Sequence, residues 1–240
     1  MTKERVLSVA EARAIDQEAV ARFGMPTVLL MENAARGVAD VARTLGSRFV
    51  ILCGNGNNGG DGLAVARHLG FARCALHLLG EPDPQESPDA ALQLKILHNA
   101  GASIRVGQAP DISEHSGAVW IDALFGTGLD RELRDPARSW VELFNSATGP
   151  KLSIDIPSGL HGDTGEVLGL ACRAEVTVTF IGKKAEIDEM LARRQSALDA
   201  AYAAHPLRFP GGAPTVKSPP SAVYINPPDP NAATQALPAT

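Results

Sequence analysis

The residues best suited to chemistry lie in three short polar segments, each of which follows a predicted strand. Residues 54–62 hold five glycines, three asparagines and Asp61, directly after the apolar residues 49–53. The second segment begins at Asp122 and the third begins at Asp155, and both continue into glycines. Glycines let a backbone approach a ligand closely, and the free N–H groups at the start of a helix attract anions. The first segment therefore predicts a turn that holds a phosphate group.

Residues 54–62 contain a G-x-G-x-x-G match at Gly54, Gly56 and Gly59, and one alternative is the common dinucleotide fingerprint. Two features argue against it. Asp61 places a carboxylate at the start of the next predicted helix, where a pyrophosphate would lie, and like charges repel there. The fingerprint also normally follows the first strand of its domain, whereas here 48 residues of mostly helical pattern come first. No Gly-Lys-Ser/Thr follows, so a P-loop is excluded.

Composition predicts one globular domain with a tail. The chain has 240 residues, is 45% hydrophobic and carries a net charge of -5, with no basic stripe that would indicate a nucleic-acid partner. Its apolar runs are far shorter than the roughly 20 residues that span a bilayer, and the first residues lack the apolar core of a signal peptide. The three cysteines, Cys53, Cys74 and Cys172, are widely spaced. We therefore expect a cytoplasmic protein that has no membrane segment and no disulfide.

Strand and helix patterns alternate along most of the chain. Ser8 and Glu11 form a capping box that starts the first helix, which Gly24 ends, and a second helix precedes the first strand. The remaining predicted helices cover residues 60–69, 88–100 and 137–146, and Ser87 and Gly101 cap the middle one. The predicted strands cover residues 49–53, 74–79, 103–106, 119–123, 151–154 and 175–180. This alternation indicates an α/β protein with a mostly parallel sheet covered on both faces.

Ligands of such sheets bind at the carboxyl ends of the strands. The three polar segments all leave that edge, so we expect Asn58, Asp61, Asp122, Asp155 and Ser158 to line one crevice. The alternative is that Asp122 and Asp155 only cap helices or turns. Three such loops at one edge favour the crevice.

The oxygens of Asn58, Asp122 and Ser158 are hard ligands, and no histidine or cysteine lies in these loops, which disfavours zinc and iron. One carboxylate among neutral oxygens suits a monovalent cation such as potassium better than Mg²⁺. Asp155, at a strand end before a rigid Ile-Pro-Ser turn, is the best candidate for a general acid or base. The residues alone leave the reverse assignment of the two aspartates open.

Residues 53–63, 121–129 and 154–160, with the helical residues 31–35, together resemble the NAD(P)H-hydrate epimerase family, the YjeF N-terminal domain. The resemblance covers about residues 8–183. It implies a Rossmann-like three-layer sandwich that carries two N-terminal helices. It also implies an isomerase whose substrate is NADH or NADPH hydrated at C6 of the nicotinamide ring. Family members interconvert the R and S hydrates, so that a separate ADP- or ATP-dependent dehydratase specific for the S form can repair both.

The same resemblance assigns roles to individual residues. It places Asp155 at the reacting ring and one K⁺ per subunit on Asn58, Asp122 and Ser158, and it implies a homodimer. The residues that it implies for dinucleotide binding are Asn57, Asn58, Gly59, Gly60, Asp61, Gly126, Thr127, Gly128, Leu129, Asp130, Arg131 and Glu132. Loss of the C6 hydroxyl through an iminium ion and opening of the ring to an aldehyde are both possible routes.

The pattern of the family stops at about Lys184, which divides the chain into an epimerase domain, residues 1–184, and a tail, residues 185–240. The tail resembles the C-terminus of an insertion-sequence transposase of the integrase type. Residues 185–204 predict a short helix, and residues 205–240, rich in Pro and Ala, predict disorder. Because the domain then lacks its last strand, two alternatives stay open: a decayed dinucleotide-binding module without turnover, and a Rossmann-type NAD(P) oxidoreductase.

Overall fold

The computed structural model describes residues 7–180. The helices are α1 (Val9–Phe23), α2 (Thr27–Leu45), α3 (Asn57–Leu69), α4 (Pro88–Asn99) and α5 (Ala137–Ser146). The strands are β1 (Phe49–Cys53), β2 (Cys74–Leu78), β3 (Ile104–Val106), β4 (Val119–Ala123), β5 (Lys151–Ile154) and β6 (Val176–Val178), and short 3₁₀ turns cover Phe71–Arg73 and Ile112–His115. Within the described residues, no helix has the length and apolar character needed to cross a membrane.

The six strands form one parallel sheet in the order β3-β2-β1-β4-β5-β6. The chain builds outwards from β1 to β3 and then returns to place β4 on the other side of β1. The loops after β1 and β4 therefore diverge and leave a crevice between them at the carboxyl edge, which is where ligands bind in such sheets. The predicted α/β architecture with two N-terminal helices is confirmed.

Local signals in the sequence account for the first helix. The backbone N–H of Glu11 donates to Ser8 Oγ at 3.1 Å, and the Glu11 carboxylate accepts from the N–H of Ser8 at 2.9 Å, so the predicted capping box is present. Gly24 ends α1 with φ 63°, a left-handed conformation that glycine adopts without steric cost. Val9 N–H donates to Asp163 Oδ1 at 2.7 Å, which fixes the start of α1 next to the loop after β5.

The core lies on both faces of the sheet, as expected for strands buried on each side. One face packs against α2, α3 and α4, and its largest fully buried side chains are Ile51, Leu63, Leu76, Leu78, Leu97, Ile121, Leu152 and Ile154. The other face packs against α5 and the loops around it, with Leu52, Trp120, Leu124 and Phe144 fully buried. Every residue of β1 and β4 is buried, so these two central strands are a rigid base for the loops that follow them.

A polar network ties α2, α3 and α4 together behind the crevice. The Glu32 carboxylate of α2 accepts hydrogen bonds from Arg67, from Gln93 at 2.8 Å and from His68 at 2.9 Å. Burial alone would raise the pKa of Glu32, but the bonds from Gln93, Arg67 and His68 outweigh it and lower that pKa. The network holds α3, whose first turn forms part of the crevice, in a fixed position on the sheet.

The structure corrects several predicted boundaries. Helix α3 begins at Asn57, not at residue 60, because the N–H of Gly60 donates to the carbonyl of Gly56 at 3.0 Å and closes a helical turn. Ser87 precedes α4 without a side-chain capping bond, and Ala100, not Gly101, follows its last residue. Strands β2, β3 and β6 are each shorter than predicted. The predictions for residues 185–240 and the division of the chain near residue 184 lie outside the described residues.

Candidate active site

A cleft of about 570 Å³ opens at the carboxyl edge of the sheet. It is bounded by the first turn of α3, the loop after β4 and the residue that follows β5. The predicted site residues that line it are Asn57, Asn58, Asp61, Gly126, Thr127, Gly128, Leu129, Asp130, Arg131 and Asp155. The structure thus brings residues from all three polar segments to one cleft.

Two of the predicted glycines shape this cleft without lining it. A Cβ atom on Gly59 would lie 1.9 Å from the carbonyl oxygen of Gly54, and one on Gly60 would lie 2.8 Å from the Cα of Ala90. Gly54 is equally constrained, since its Cβ would lie 2.0 Å from the carbonyl oxygen of Leu124. These glycines are needed because the turn, α4 and the loop after β4 pack closely together.

Asp155 directly follows β5 and lines the cleft. Its N–H still donates to the carbonyl of Val178 at 2.8 Å, and its φ of 66° turns the chain out of the sheet in a conformation uncommon for residues other than glycine. The N–H of Thr127 donates to Asp155 Oδ2 at 3.3 Å. A Cβ on Gly126 would lie 2.9 Å from Asp155 Oδ2 and 3.4 Å from Asn58 Oδ1, so the glycine leaves room beside both side chains.

Asp122 lies beneath the cleft and has no exposed surface. Its Oδ1 accepts from the N–H of Leu124 at 3.2 Å and lies 2.6 Å from Ser158 Oγ. Its Oδ2 accepts from Ser153 Oγ and from the N–H of Ser158, each at 2.8 Å. Burial raises the pKa of Asp122, while the hydrogen bonds, those from Ser158 foremost, oppose the rise. This carboxylate joins β4, β5 and the loops that follow them.

Ser158 and its neighbours form a cluster of oxygens next to Asp122. Ser158 Oγ accepts from the N–H of Phe125 at 2.8 Å, and it lies 2.6 Å from Asp122 Oδ1 and 3.0 Å from the carbonyl oxygen of Phe125. One hydroxyl proton can serve only one of those two oxygens. Asn58 Nδ2 is also buried and has no hydrogen-bond partner among the described residues. Hydroxyl, carbonyl, carboxylate and amide oxygens together are a hard donor set.

Asp61 lies in the second turn of α3 and is only partly exposed. Burial, followed by the charges of Asp155, Asp16 and Asp89, raises its pKa well above the ordinary value. The sequence predicts that Asp61 is an anion at the start of the helix, where it would repel a pyrophosphate. The structure corrects this prediction twice: the residue lies one turn further along α3, and its surroundings favour the protonated, neutral carboxyl group.

Sequence reasoning missed the contribution of α1 to the cleft. Ala12, Arg13 and Asp16 line it, and Arg13 Nη2 lies 3.7 Å from where a Cβ on Gly128 would be. No local motif marks these residues. The one available signal in the sequence is that Ala12 and Asp16 are four residues apart and so share a face of the predicted first helix.

A second cavity of about 500 Å³ adjoins the cleft between the end of β2 and the start of α5. The two cavities share Asn55, Phe125, Leu129 and Arg131. Glu132, which was predicted to bind the dinucleotide, lines this second cavity and not the first. The predicted binding residues therefore extend along a groove longer than the cleft itself.

A parallel sheet in this strand order, with a polar cleft at the point where the order reverses, defines the class of α/β proteins that bind nucleotides at the carboxyl ends of their strands. A family model, described as the YjeF-related protein N-terminus, matches residues 28–185, about two thirds of the chain. The chain belongs to this family. The resemblance drawn from the three motifs is thereby confirmed.

Curated relatives agree with this assignment. The chain is 39% identical over 187 residues to an NAD(P)H-hydrate epimerase of Rhodopirellula baltica, and the match covers 76% of this chain and 77% of the relative. It is 38% identical over 193 residues to the NAD(P)H-hydrate epimerase of Pirellula staleyi, covering 77% and 85% of the two chains. It is also 39% identical over 198 residues to a bifunctional NAD(P)H-hydrate repair enzyme of Salinibacter ruber. That match covers 75% of this chain but 36% of the relative, so the chain spans about a third of the bifunctional enzyme.

A solved structure shares the fold. The crystal structure of the yeast protein YNL200c matches with a TM-score of 0.68 and 23% identity, covering 77% of this chain and 84% of the yeast chain. Identity at this level supports the fold alone, and the predicted Rossmann-like architecture is confirmed by it.

Proposed function

We propose that this protein is an NAD(P)H-hydrate epimerase that interconverts the R and S forms of NADH or NADPH hydrated at C6 of the nicotinamide ring. The observation that carries the proposal is the convergence of three family motifs on one cleft that Asp155 lines. Relatives that this chain matches over most of their length bear the same activity in their names. The reaction changes only the configuration at one carbon, so it needs no oxidant or reductant.

The groove would hold an extended dinucleotide. The nicotinamide end would occupy the cleft beside Asp155, and the remainder would run past Leu129 and Arg131 towards Glu132. Asn57, Asn58 and Asp61 would contact the substrate from the first two turns of α3, and residues 126–130 would contact it from the loop after β4. Gly59 and Gly60 would act indirectly, by letting α3 start close to that loop.

Asp155 would serve as the acid and then the base. In its protonated form it gives a proton to the C6 hydroxyl, the lone pair of the ring nitrogen expels water, and a planar iminium ion forms. Water then adds from the opposite face, and its proton returns to the Asp155 carboxylate. Opening of the ring to an aldehyde followed by closure would use the same proton transfers. Asp155 lines the cleft directly after β5, which suits either route.

We further propose that Asn58, Asp122 and Ser158 hold one K⁺ per subunit. The cluster of Asp122 Oδ1, Ser158 Oγ and the Phe125 carbonyl has the hard oxygens that such an ion prefers. The buried amide of Asn58, whose Nδ2 has no partner in the described residues, is free to turn its oxygen towards a cation. When bound, the ion would supply positive charge that fixes the loops after β1, β4 and β5. Anomalous scattering from a thallium-soaked crystal should show it, and zinc at this place would contradict the proposal.

The biological setting follows from the chemistry. An epimerase alone repairs nothing, so we propose a functional link to a separate dehydratase that takes only the S hydrate. The three cysteines are all free, as a reducing cytoplasm requires, and we propose that location. We also propose a homodimer, which sedimentation of the purified protein would test.

The decisive experiment mixes the purified protein with both hydrates and an S-specific dehydratase. An active epimerase makes the R hydrate disappear, whereas the dehydratase alone leaves it behind. The matched control is the Asp155→Asn protein, which keeps the same shape and should leave the R hydrate unchanged. Retention of ligand with no loss of the R form by the wild-type protein would favour a decayed binding module, and hydride transfer to an added carbonyl compound would favour an oxidoreductase.

A further inference from the structure

Asp61 lines the cleft with a carboxyl group that makes no hydrogen bond or ion pair within residues 7–180. The other two aspartates of the site are engaged: Asp155 accepts from the N–H of Thr127, and Asp122 accepts from four groups. A polar group that is partly withdrawn from water costs free energy when it lacks a partner, and native structures contain few such groups. The carboxyl group of Asp61 is therefore available to a ligand in the cleft.

Asp61 and Asp155 reach the cleft from strands on either side of β4. Asp61 lies on α3, which follows β1, whereas Asp155 directly follows β5. Strand β4 separates β1 from β5, so these strands are two spacings, or about 10 Å, apart. A Cβ on Gly126, after β4, would lie 2.9 Å from Asp155 Oδ2 and 3.4 Å from Asn58 Oδ1. Asp61 is one turn beyond Asn58 on the same face of α3, so the two carboxyl groups flank the loop after β4.

Epimerisation at C6 needs proton transfer on both faces of the nicotinamide ring. A hydroxyl that leaves one face takes up a proton there, and the water that adds to the other face gives up a proton there. With Asp155 alone, one carboxyl group would have to serve both faces. Enzymes that add water opposite a leaving group on a sugar ring use two carboxyl groups, roughly 6.5–9.5 Å apart. Asp61 and Asp155 provide a pair of this kind at one cleft.

The surroundings of Asp61 also suit one of the two roles. Burial first, and then the charges of Asp155, Asp16 and Asp89, raise the pKa of Asp61 well above its ordinary value. Because an ionised Asp155 is one cause of this rise, a proton shared by the two groups occupies Asp61 first. A pair that shares one proton holds an acid and a base at the same time.

Building on the proposed epimerase function, we propose that Asp61 is a second catalytic residue, which acts on the face of the ring opposite Asp155. The Asp61 carboxyl group gives its proton to the C6 hydroxyl, the C–O bond breaks, and water leaves as the ring nitrogen forms an iminium ion. A second water attacks C6 from the face of Asp155, and its proton passes to that carboxylate. One C–O bond breaks, one forms, and one proton moves from Asp61 to Asp155. The other hydrate is converted by the same steps in reverse.

The test incubates each hydrate separately in H₂¹⁸O and measures two quantities: the change of configuration, by chromatography, and the entry of ¹⁸O at C6, by mass spectrometry. The wild-type protein should convert both hydrates, with entry of ¹⁸O at each conversion. Asp61→Asn should lower epimerisation by about 10²-fold or more. One hydrate should nevertheless still exchange its oxygen without a change of configuration, because Asp155 can remove and return water on its own face. Asp155→Asn should spare exchange in the opposite hydrate.

Asp89→Asn is the matched control, since it removes a carboxylate whose charge acts on Asp61 but which does not line the cleft. It should epimerise at the wild-type rate. Wild-type epimerisation by Asp61→Asn, loss of exchange from both hydrates in that variant, or exchange of the same hydrate in both catalytic variants would overturn the proposal.

The wild-type protein separates this proposal from the function on which it rests. Conversion of the hydrates without entry of ¹⁸O would mean that the ring opens and closes, and it would overturn the role of Asp61 while the epimerase function stands. A wild-type protein that neither epimerises nor exchanges oxygen would contradict the proposed function, and the role of Asp61 with it. Asparagine keeps the size of the side chain and breaks no hydrogen bond within the described residues, so the Asp61→Asn protein should fold.

Discussion

The ends of β4 and β5 carry the same dipeptide, Ile-Asp, yet they place their aspartates in opposite environments. The sheet pairs Asp122 with Ser153, so Asp155 lies two positions further towards the carboxyl edge. Asp122 is still within its strand, is fully buried and accepts from four groups. Asp155 has left its strand with a positive φ and lines the cleft.

Strand register therefore decides the environment of each carboxylate. An aspartate one step inside the edge meets backbone and hydroxyl donors from both neighbouring loops, and it holds those loops together. An aspartate one step outside the edge, such as Asp155, lines the cleft. The shift of two positions therefore supports the two proposed roles. Asp122 would hold the loops and the cation, and Asp155 would exchange the proton with the substrate.

Replacing Asp155 should have the largest effect on activity. We expect Asp155→Asn to lower kcat by about 10²–10⁴-fold, because an amide cannot transfer the proton that a general acid or base supplies. Asparagine tolerates the left-handed backbone, so the melting temperature should change little. Asp155→Ala should be equally inactive but less stable by roughly 1–2 kcal/mol, since alanine resists that conformation. A folded Asp155→Asn protein with wild-type turnover would remove Asp155 from the mechanism.

Replacing Asp122 should instead affect folding most. In Asp122→Asn one of the two oxygens becomes an NH₂ group that faces donors, so at least one backbone N–H loses its acceptor. We expect the free energy of unfolding to fall by about 3 kcal/mol, measured by urea denaturation. Asp40→Asn, at an exposed position of α2, is the control for loss of charge and should change stability by less than about 0.5 kcal/mol. Equal stability of the two variants would contradict the structural role of Asp122.

Asp61 lines the same cleft as Asp155, and its pKa is raised by burial first and then by the charge of Asp155. The folded state therefore binds a proton on Asp61 that the unfolded chain has released above its ordinary pKa of 3.8. Stability should accordingly fall as pH rises through the folded-state pKa and be highest below the ordinary value. Urea denaturation over a pH series should show this fall in the wild type and a flatter profile in Asp61→Asn. Parallel profiles would show that Asp61 titrates normally.

The smallest expected effect concerns one donor to Asp122. Ser153→Ala removes the hydroxyl that donates to Asp122 Oδ2 at 2.8 Å, and three donors to the carboxylate remain. We expect a loss of about 1 kcal/mol in the free energy of unfolding and no change in kcat. Ser146→Ala, whose hydroxyl bonds to a carbonyl on the exposed side of α5, is the matched control. A marked fall in kcat would mean that Asp122 also acts on the substrate.

Much of the fold was predictable from local signals. The predicted strands at 49–53, 119–123 and 151–154 coincide with β1, β4 and β5, and every residue of these three strands is buried, as expected for parallel strands that are covered on both faces. The capping box at Ser8 and the left-handed Gly24 set the limits of α1, because each satisfies backbone groups at one end of the helix. The two edge strands, β3 and β6, are shorter than predicted. Each pairs with a neighbour on one side alone, and the hydrogen-bonded pairing ends before the strand-like sequence pattern does.

The start of α3 was harder to predict. Asparagines and glycines favour turns, so residues 57–59 read as loop. In the folded protein they form the first turn of the helix, because Gly59 and Gly60 allow α3 to pack against Gly54 and Ala90 at distances that no other residue permits. Tertiary packing here overrides local preference.

The α/β class, the family and the set of polar loops at one edge can be read from the amino-acid sequence, since these depend on periodicity and on motifs within short segments. The burial of Asp122, the position of Asp155 in the cleft and the presence of Arg13 and Asp16 of α1 beside it are visible in the folded protein alone. The physical reason is that burial, pKa and ligand contact depend on register and packing between segments far apart in the chain, which no local pattern encodes.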